Sequence, residues 1–413
     1  MKNSLFFVFI LFIMFSCGPS RILTNRNLSF LYDEPVLTIE TQAHFCLIND
    51  TIGQVSFKIN SRDLLYVKQD SSGKFEAKFQ VTYTFYKSYE SKEIIDSGKY
   101  IYKDFSYQIG EKSMINSFNV HLKKEKQGIL ELNVKDLVKQ TSSSTIIEIN
   151  ITQNPNNQYF KCYTKDGISV FNNYTEVGKE LKIQTFRKDL KKIFVKYYTS
   201  NFPIALPPYS IIEEKPYILK PDSIWQIDVS DGEFYFNFKK LGIYYFQADT
   251  ALKSGMTMSV YKSDFPEITL METALAAMRY LTTKQEFDKI TENADLKVGM
   301  DNFWLNIAGN PDRAREIIRE YYSNVKKANE YFTSYIEGWK TDRGIIYIIF
   351  GAPNVVYRTS DSEIWIYGEQ FNSNSLTFKF FKIKNPFTSN DYMLSRSPLY
   401  KQNWFNAVEM WRR

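Results

Sequence analysis

Histidine and cysteine are almost missing from this 413-residue chain, which has two His and three Cys. His44 and His121 are too few and too far apart for a histidine-based metal site. Neither Cys-x-x-Cys nor His-Glu-x-x-His occurs. Gly-x-Ser-x-Gly, a phosphate-binding loop and a dinucleotide fingerprint are absent too, which removes those nucleophile and nucleotide classes. No cofactor and no metal is expected. An apolar run of roughly 20 residues, the length that spans a bilayer, is also lacking. Charge of one sign is scarce: Lys and Arg number 52 against 46 Asp and Glu, a net +6. The densest basic stretches are Lys123-Lys124-Glu125-Lys126 and Arg187-Lys188-Asp189-Leu190-Lys191-Lys192. Both contain acids and fall where turns are expected, so they read as solvated faces. No nucleic-acid partner is expected, and attraction to anionic lipid head groups would be weak.

What is present begins at the N-terminus. One positive charge precedes Leu5–Phe15, which is unbroken hydrocarbon and aromatic, and Ser16-Cys17-Gly18 follows. The run fits a signal-peptide core and is too short to cross a bilayer. A small residue, Cys and Gly directly after it resemble the bacterial lipobox. That resemblance implies cleavage after residue 16 and acylation of Cys17 (palmitate-type chains), hence membrane attachment without a spanning helix. Residues 17–29 then read as a lipidated polar tether. No acidic cluster follows Cys17, which favours the periplasmic face of the outer membrane, with surface exposure as the alternative. Cys46 and Cys162 could pair in an oxidising periplasm or remain two buried thiols.

Hydrophobic content of 44% and aromatic content of 16% are enough for real cores. The clearest strand is 75–85, where Phe75, Ala77, Phe79, Val81, Tyr83 and Phe85 alternate with polar residues. Further strands are expected over 54–59, 99–105, 116–122 and 145–151. Turn residues punctuate them, which predicts an antiparallel β-sandwich over 30–153. A second sandwich is expected over 154–262, with strands at 182–186, 193–197, 224–229, 233–238 and 242–248. Five Pro between 201 and 221 predict a long extended loop, and Asp231-Gly232 predicts a hairpin.

The period changes near Ser263. Residues 269–281 and 296–307 read as helices. The best helix has Asn310 as cap, Pro311 in the first turn and Asp312 at the positive dipole end. Its apolar stripe runs Ala314, Ile317, Ile318, Tyr321, Val325, Ala328 and Phe332, and it should end near 336–338. Gly338 then reads as a left-handed cap. Trp339 offers a plate, Thr341 and Asp342 can bond nearby backbone N–H groups, and Arg343 can clamp a carboxylate or carbonyls. Gly344 should permit reversal into a strand, 345–350, closed by Gly351-Ala352-Pro353. Strands at 363–367 and 376–381 and a covering helix over 403–413 complete a 263–413 unit.

Gly338-Trp339-Lys340-Thr341-Asp342-Arg343-Gly344, the apolar run after it, Gly351 and Pro353, and Glu363-Ile364-Trp365-Ile366-Tyr367 resemble the GWxTD domain of Bacteroidota and related bacteria. Ala352 departs from the usual Gly-Pro-Pro. The resemblance implies a lipid-anchored or exported protein and names no reaction. The expected fold is therefore mainly β: two tandem antiparallel β-sandwiches followed by an α+β GWxTD domain.

Glu363, Trp365 and Tyr367 join the motif residues as a structural or partner site. Asp342, with Thr341 and Arg343 beside it, is the one cluster a hydrolase reading could use, and no second carboxylate is fixed relative to it. Structural clamping is the simpler reading. The chain is expected not to be an enzyme but a scaffold or accessory subunit, lipid-anchored at Cys17, working with outer-membrane or periplasmic proteins in an assembly or secretion complex. The 29 Tyr, 33 Phe and 6 Trp leave a glycan- or peptide-binding lipoprotein as the alternative.

Overall fold

The computed structural model describes residues 22–33, 39–69, 73–108, 110–152, 156–199, 202–212, 220–251, 254–370 and 372–413. The leader and Cys17 lie outside the described residues.

The first sandwich holds β1 (Thr41–Asn49), β2 (Ile52–Asn60), β3 (Val67–Gln69), β4 (Lys74–Tyr86), β5 (Ile94–Ser106), β6 (Ser113–His121), β7 (Gln127–Asp136) and β8 (Ser142–Asn150). One antiparallel sheet runs β1–β2–β6. In the other, β4 pairs with β3, β5 and β7, and β7 pairs with β8. Alternation in β4 buries Ala77, Phe79, Val81, Tyr83 and Phe85. Strand β1 alternates weakly, whereas β7 alternates over Leu130, Leu132 and Val134; neither is among the expected strands.

The second sandwich holds β9 (Phe160–Thr164), β10 (Ser169–Val170), β11 (Tyr174–Glu176), β12 (Glu180–Thr185), β13 (Lys192–Tyr198), β14 (Ser223–Asp228), β15 (Glu233–Asn237), β16 (Gly242–Gln247) and β17 (Met256–Tyr261). Its sheets run β10–β9–β12–β15 and β11–β17–β16–β13–β14. Pairing is antiparallel except for β11 with β17, which is parallel. Asp231 and Gly232 do adopt positive φ, 49° and 80°. The expected hairpin turn forms, with Ser230 and Glu233 exchanging backbone hydrogen bonds at 3.0 and 2.9 Å, but its ladder goes no further, because β14 pairs with β13 in one sheet and β15 with β12 in the other. Turn chemistry sets the local reversal. The inward faces of two different sheets set the partners.

Every residue of β16 and β17 is buried. Tyr244, Phe246, Met256, Met258 and Val260 face the sandwich core. On the opposite face Ile243 and Tyr245 pack with Tyr198, Phe202 and Phe387 from other parts of the chain.

The C-terminal region contains α1 (Met271–Ala277), α2 (Lys284–Thr291), α3 (Leu296–Ala308), α4 (Pro311–Phe332), α5 (Asp342–Phe350) and α6 (Tyr400–Trp411). A four-stranded antiparallel sheet accompanies them: β18 (Val355–Arg358), β19 (Ser362–Tyr367), β20 (Leu376–Lys382) and β21 (Tyr392–Leu394), in that order. Asn310 caps α4 by accepting from Arg313 N at 2.9 Å. Helix α2 is not among the expected helices, although Thr283 and Glu286 form a full capping box at its start. Among the described residues no helix is long and apolar enough to cross a membrane.

Two expectations at the motif are overturned. Helix α4 ends at Phe332, not near 336–338. Residues 345–350, expected as a strand, are the body of α5. A run of six apolar residues buried on all sides carries no period, so it cannot separate strand from helix. The cap decides. Thr341 accepts from Gly344 N at 3.0 Å, and Asp342 sits in the first turn, where the helix dipole favours a carboxylate. The modest helix penalty of Ile is outweighed by complete burial of Ile345, Ile346 and Ile348.

Residues 22–29, expected as part of a tether, are packed against the C-terminal sheet. Leu23 and Leu28 are fully buried and Tyr32 nearly so. Leu28 N donates to Val356 O at 2.8 Å, and Asn27 Oδ1 accepts from Val356 N at 3.0 Å. This arm covers the free edge of β18, a position that would otherwise offer unpaired backbone groups. Arg26 adds a bidentate pair with Glu131 of β7.

Candidate functional site

The motif glycines are required by space and not by backbone handedness. Neither Gly338 nor Gly344 has positive φ. A Cβ on Gly338 would lie 1.9 Å from Ala328 O, and one on Gly344 would lie 1.9 Å from Gly338 O. The segment between α4 and α5 thus presses directly on both helices, so the expected left-handed cap at Gly338 is corrected to a close backbone contact. Asn329, buried on α4, holds it there. Its side chain donates to Pro266 O at 2.8 Å and accepts from Trp339 N at 3.1 Å. Trp339 itself is buried. Thr341 also donates to Gly338 O at 2.8 Å, so one hydroxyl serves both the turn and the helix cap.

Asp342 and Arg343, at the start of α5, are both buried and bond in different sets. Asp342 Oδ2 accepts from Leu394 N at 2.7 Å, and Oδ1 accepts from Arg396. That ties α5 to β21 and to the segment leading into α6. Arg343 donates to Glu363 at 3.3 Å, to the Tyr32 hydroxyl at 3.3 Å and to Asn390 O at 3.0 Å. Its guanidinium lies 4.0 Å from the Tyr392 ring centroid and 5.1 Å from that of Phe332. Asn390 in turn donates to Tyr331 O and Thr333 O, satisfying carbonyls at the end of α4.

Glu363 is the centre of the second set and is fully buried. It accepts from Arg358 Nε at 3.1 Å and from Trp365 Nε1 at 2.6 Å, besides Arg343. Burial alone would push its carboxyl up. Arg358 and Arg343, with the Trp365 and Tyr32 contacts, outweigh burial and hold it below the usual carboxylate range. Arg358 is raised well above its ordinary value by Glu363 and the surrounding phenols, against the effect of burial. Trp365 packs against Tyr32, Phe332 and Phe380 at centroid distances of 5.3, 5.3 and 4.8 Å. Tyr367 donates to Gly351 O at 2.9 Å, which fixes the end of α5. Gly351 there has φ 75°, and Pro353 is buried.

The structure therefore gathers the motif residues into one joint around α5. Two other acids of the region have partners of their own: Glu337 accepts from Lys340 at 2.9 Å and Asp361 from Thr359 at 2.8 Å. Sequence reasoning missed Tyr32, Asn329, Arg358, Asn390 and Arg396. Asn329 carried a legible signal, a polar residue inside the apolar stripe between Val325 and Phe332. Arg358 stands only five residues from Glu363, across the β18–β19 turn, while Tyr32, Asn390 and Arg396 lie far from their partners in the chain and carried no signal.

Cys46 and Cys162 are free thiols in this structure, on β1 and β9. Burial pushes both up to about 12, which disfavours the reactive thiolate. Among the described residues no group of three or more His, Cys, Asp or Glu could hold a metal ion.

Comparison with known families matches residues 242–413 to the GWxTD domain. The chain carries a GWxTD domain at its C-terminal end. The match takes in β16 and β17 together with all six helices and the four-stranded sheet. The motif that gives the domain its letters is Gly338, Trp339, Thr341 and Asp342 with Lys340 between. No curated protein matches the chain.

Proposed function

We propose that this protein is a lipid-anchored, non-catalytic accessory subunit of an outer-membrane protein complex, held through Cys17 and facing the periplasm. The observation that carries the reading is the use of the motif's polar groups. Asp342 and Glu363, the acids a hydrolase would need free, both accept from internal donors. A general acid or base must reach a substrate proton, and these carboxylates are buried among their own partners. The lipobox-like Ser16-Cys17-Gly18 supplies the address, and the modular β-rich body suits a platform for partner proteins.

The test is crosslinking in cells followed by affinity purification from detergent-solubilised membranes. A stoichiometric envelope protein should co-purify. The chain recovered alone after crosslinking would overturn the subunit reading. Acyl mass on the N-terminal peptide beginning at Cys17 is expected, and an unmodified Cys17 would overturn the anchor.

A further inference from the structure

The arm leaves very little leash. Leu23 and Leu28 are fully buried, so the described chain is fastened to the body from its first residues. Five residue steps join Cys17 to Ile22, which reach at most about 18 Å when fully extended. On the reading that Cys17 carries lipid, the end of the molecule holding Leu23 and Thr24 must therefore lie at the bilayer surface.

The residues at that end are identifiable. Thr24 N donates to Tyr89 O at 3.2 Å, which sets the arm against the turn between β4 and β5. Lys87 in that turn reaches Glu93 at 3.1 Å and Glu125 at 3.7 Å, so the turn between β6 and β7 belongs to the same end. Lys87, Lys92, Lys123, Lys124 and Lys126 are exposed there, against Glu90, Glu93, Glu125 and Asp50, the last in the β1–β2 turn whose Thr51 O accepts from Leu122 N at 2.8 Å. The three glutamates have partners: Glu93 and Glu125 meet Lys87, and Glu90 accepts from Ser360 N and Oγ at 2.8 Å. No described carboxylate pairs with Lys92, Lys123, Lys124 or Lys126. Lys123 and Lys124 also stand at φ 45° and 71°, consecutive left-handed positions that Asn and Gly occupy with less strain. Local turn chemistry does not account for two lysines there.

We propose that the turns 87–93 and 122–126, beside the docked arm, form a membrane-contact face whose lysines sit on anionic phospholipid head groups. The lipid supplies the hold, and the lysines set the orientation: the short leash keeps them near the surface charge, and those that come within a Debye length of it are attracted. The GWxTD domain, through which the arm is fastened, is then presented at a fixed height above the bilayer.

The full lipidated chain, reconstituted in vesicles of phosphatidylethanolamine and phosphatidylglycerol, tests this by amide hydrogen exchange. Amides of 87–93 and 122–126 should exchange several-fold more slowly than in detergent. Vesicles of phosphatidylcholine alone should not protect them, and high salt should remove the protection. The variant Lys92→Glu/Lys123→Glu/Lys124→Glu/Lys126→Glu should stay vesicle-bound through its lipid, keep its melting temperature and lose the protection. Equal exchange in vesicles and detergent, or protection indifferent to lipid charge, overturns the docking face while leaving the anchor intact. Absence of acyl mass at Cys17 overturns the anchor beneath it.

Discussion

The two sandwiches and the GWxTD domain bury apolar cores of similar kind and differ in what lies among them. In the sandwiches the centre is Phe57, Phe79, Val81, Ile183, Val195 and Phe234, all apolar. The buried carboxylate there, Asp136, accepts from the backbone N–H groups of Leu65, Val138 and Lys139 at a turn. In the GWxTD domain, Arg343, Arg358 and Glu363 sit among Tyr32, Phe332 and Trp365. Apolar packing is non-directional and tolerates volume-conserving change. A buried ion network is directional, and removing one member strands the others without compensation. The sandwiches should thus be forgiving and the GWxTD core brittle.

Glu363→Ala breaks the comparison hardest. It leaves two guanidinium groups without their carboxylate, at a cost of about 3–5 kcal/mol. Five of the six Trp lie in the C-terminal region, so urea denaturation followed by Trp emission should show its early unfolding. Gly338→Ala forces a methyl against Ala328 O and should cost about 1–3 kcal/mol by the same measurement. Tyr32→Phe removes the hydroxyl that accepts from Arg343 and Arg358 and should cost about 1–2 kcal/mol. Faster proteolysis near the arm should accompany it. In the sandwich, Ile183→Val should cost only about 0.5–1.5 kcal/mol. A Glu363→Ala effect no larger than that would erase the contrast.

Acid should separate the two regions more gently. Burial, followed by the charge of Lys161, lowers His44 to about 4. The unfolded chain therefore takes up that proton first, and this contribution to stability declines as pH falls from about 6.5 to 4. In the GWxTD domain, Glu286 is held at about 2, chiefly by Arg412, and Glu363 is also depressed. Both contributions are fully present above the ordinary glutamate range near pH 4.3; that of Glu286 is lost as pH falls toward 2, and that of Glu363 is lost in the same direction. Denaturation midpoints against pH should show the first limb flattened in His44→Gln and the second in Glu286→Gln. A single limb unaffected by either change would show that other groups control the acid transition.

Several features are legible in residue order alone. Strand β4 is written by alternation from Phe75 to Phe85, and α4 by Asn310, Pro311 and its stripe. Helix α6 lies within a few residues of its expected place. The motif's family is legible because its small and polar residues stand in a fixed order. Its geometry is not. Ile345–Phe350 reads equally as strand or helix when every side is buried, and only the Thr341 cap separates the two. The hairpin at Asp231-Gly232 stops after one bridge for a related reason, since a turn specifies reversal and says nothing about which sheet receives the next strand.

The sequence by itself determined the local structure that arises from neighbours: periodicity, caps, turns and the order of the GWxTD letters. These depend on residues within a few positions of each other, so the chain displays them directly. Tertiary structure alone decided that Tyr32 meets Arg343 and Arg358 from more than three hundred residues away, and that a stretch resembling a tether closes the edge of β18. Such contacts follow from where whole elements come to rest against one another, because the acceptors Arg343 requires are supplied by three separate stretches of chain.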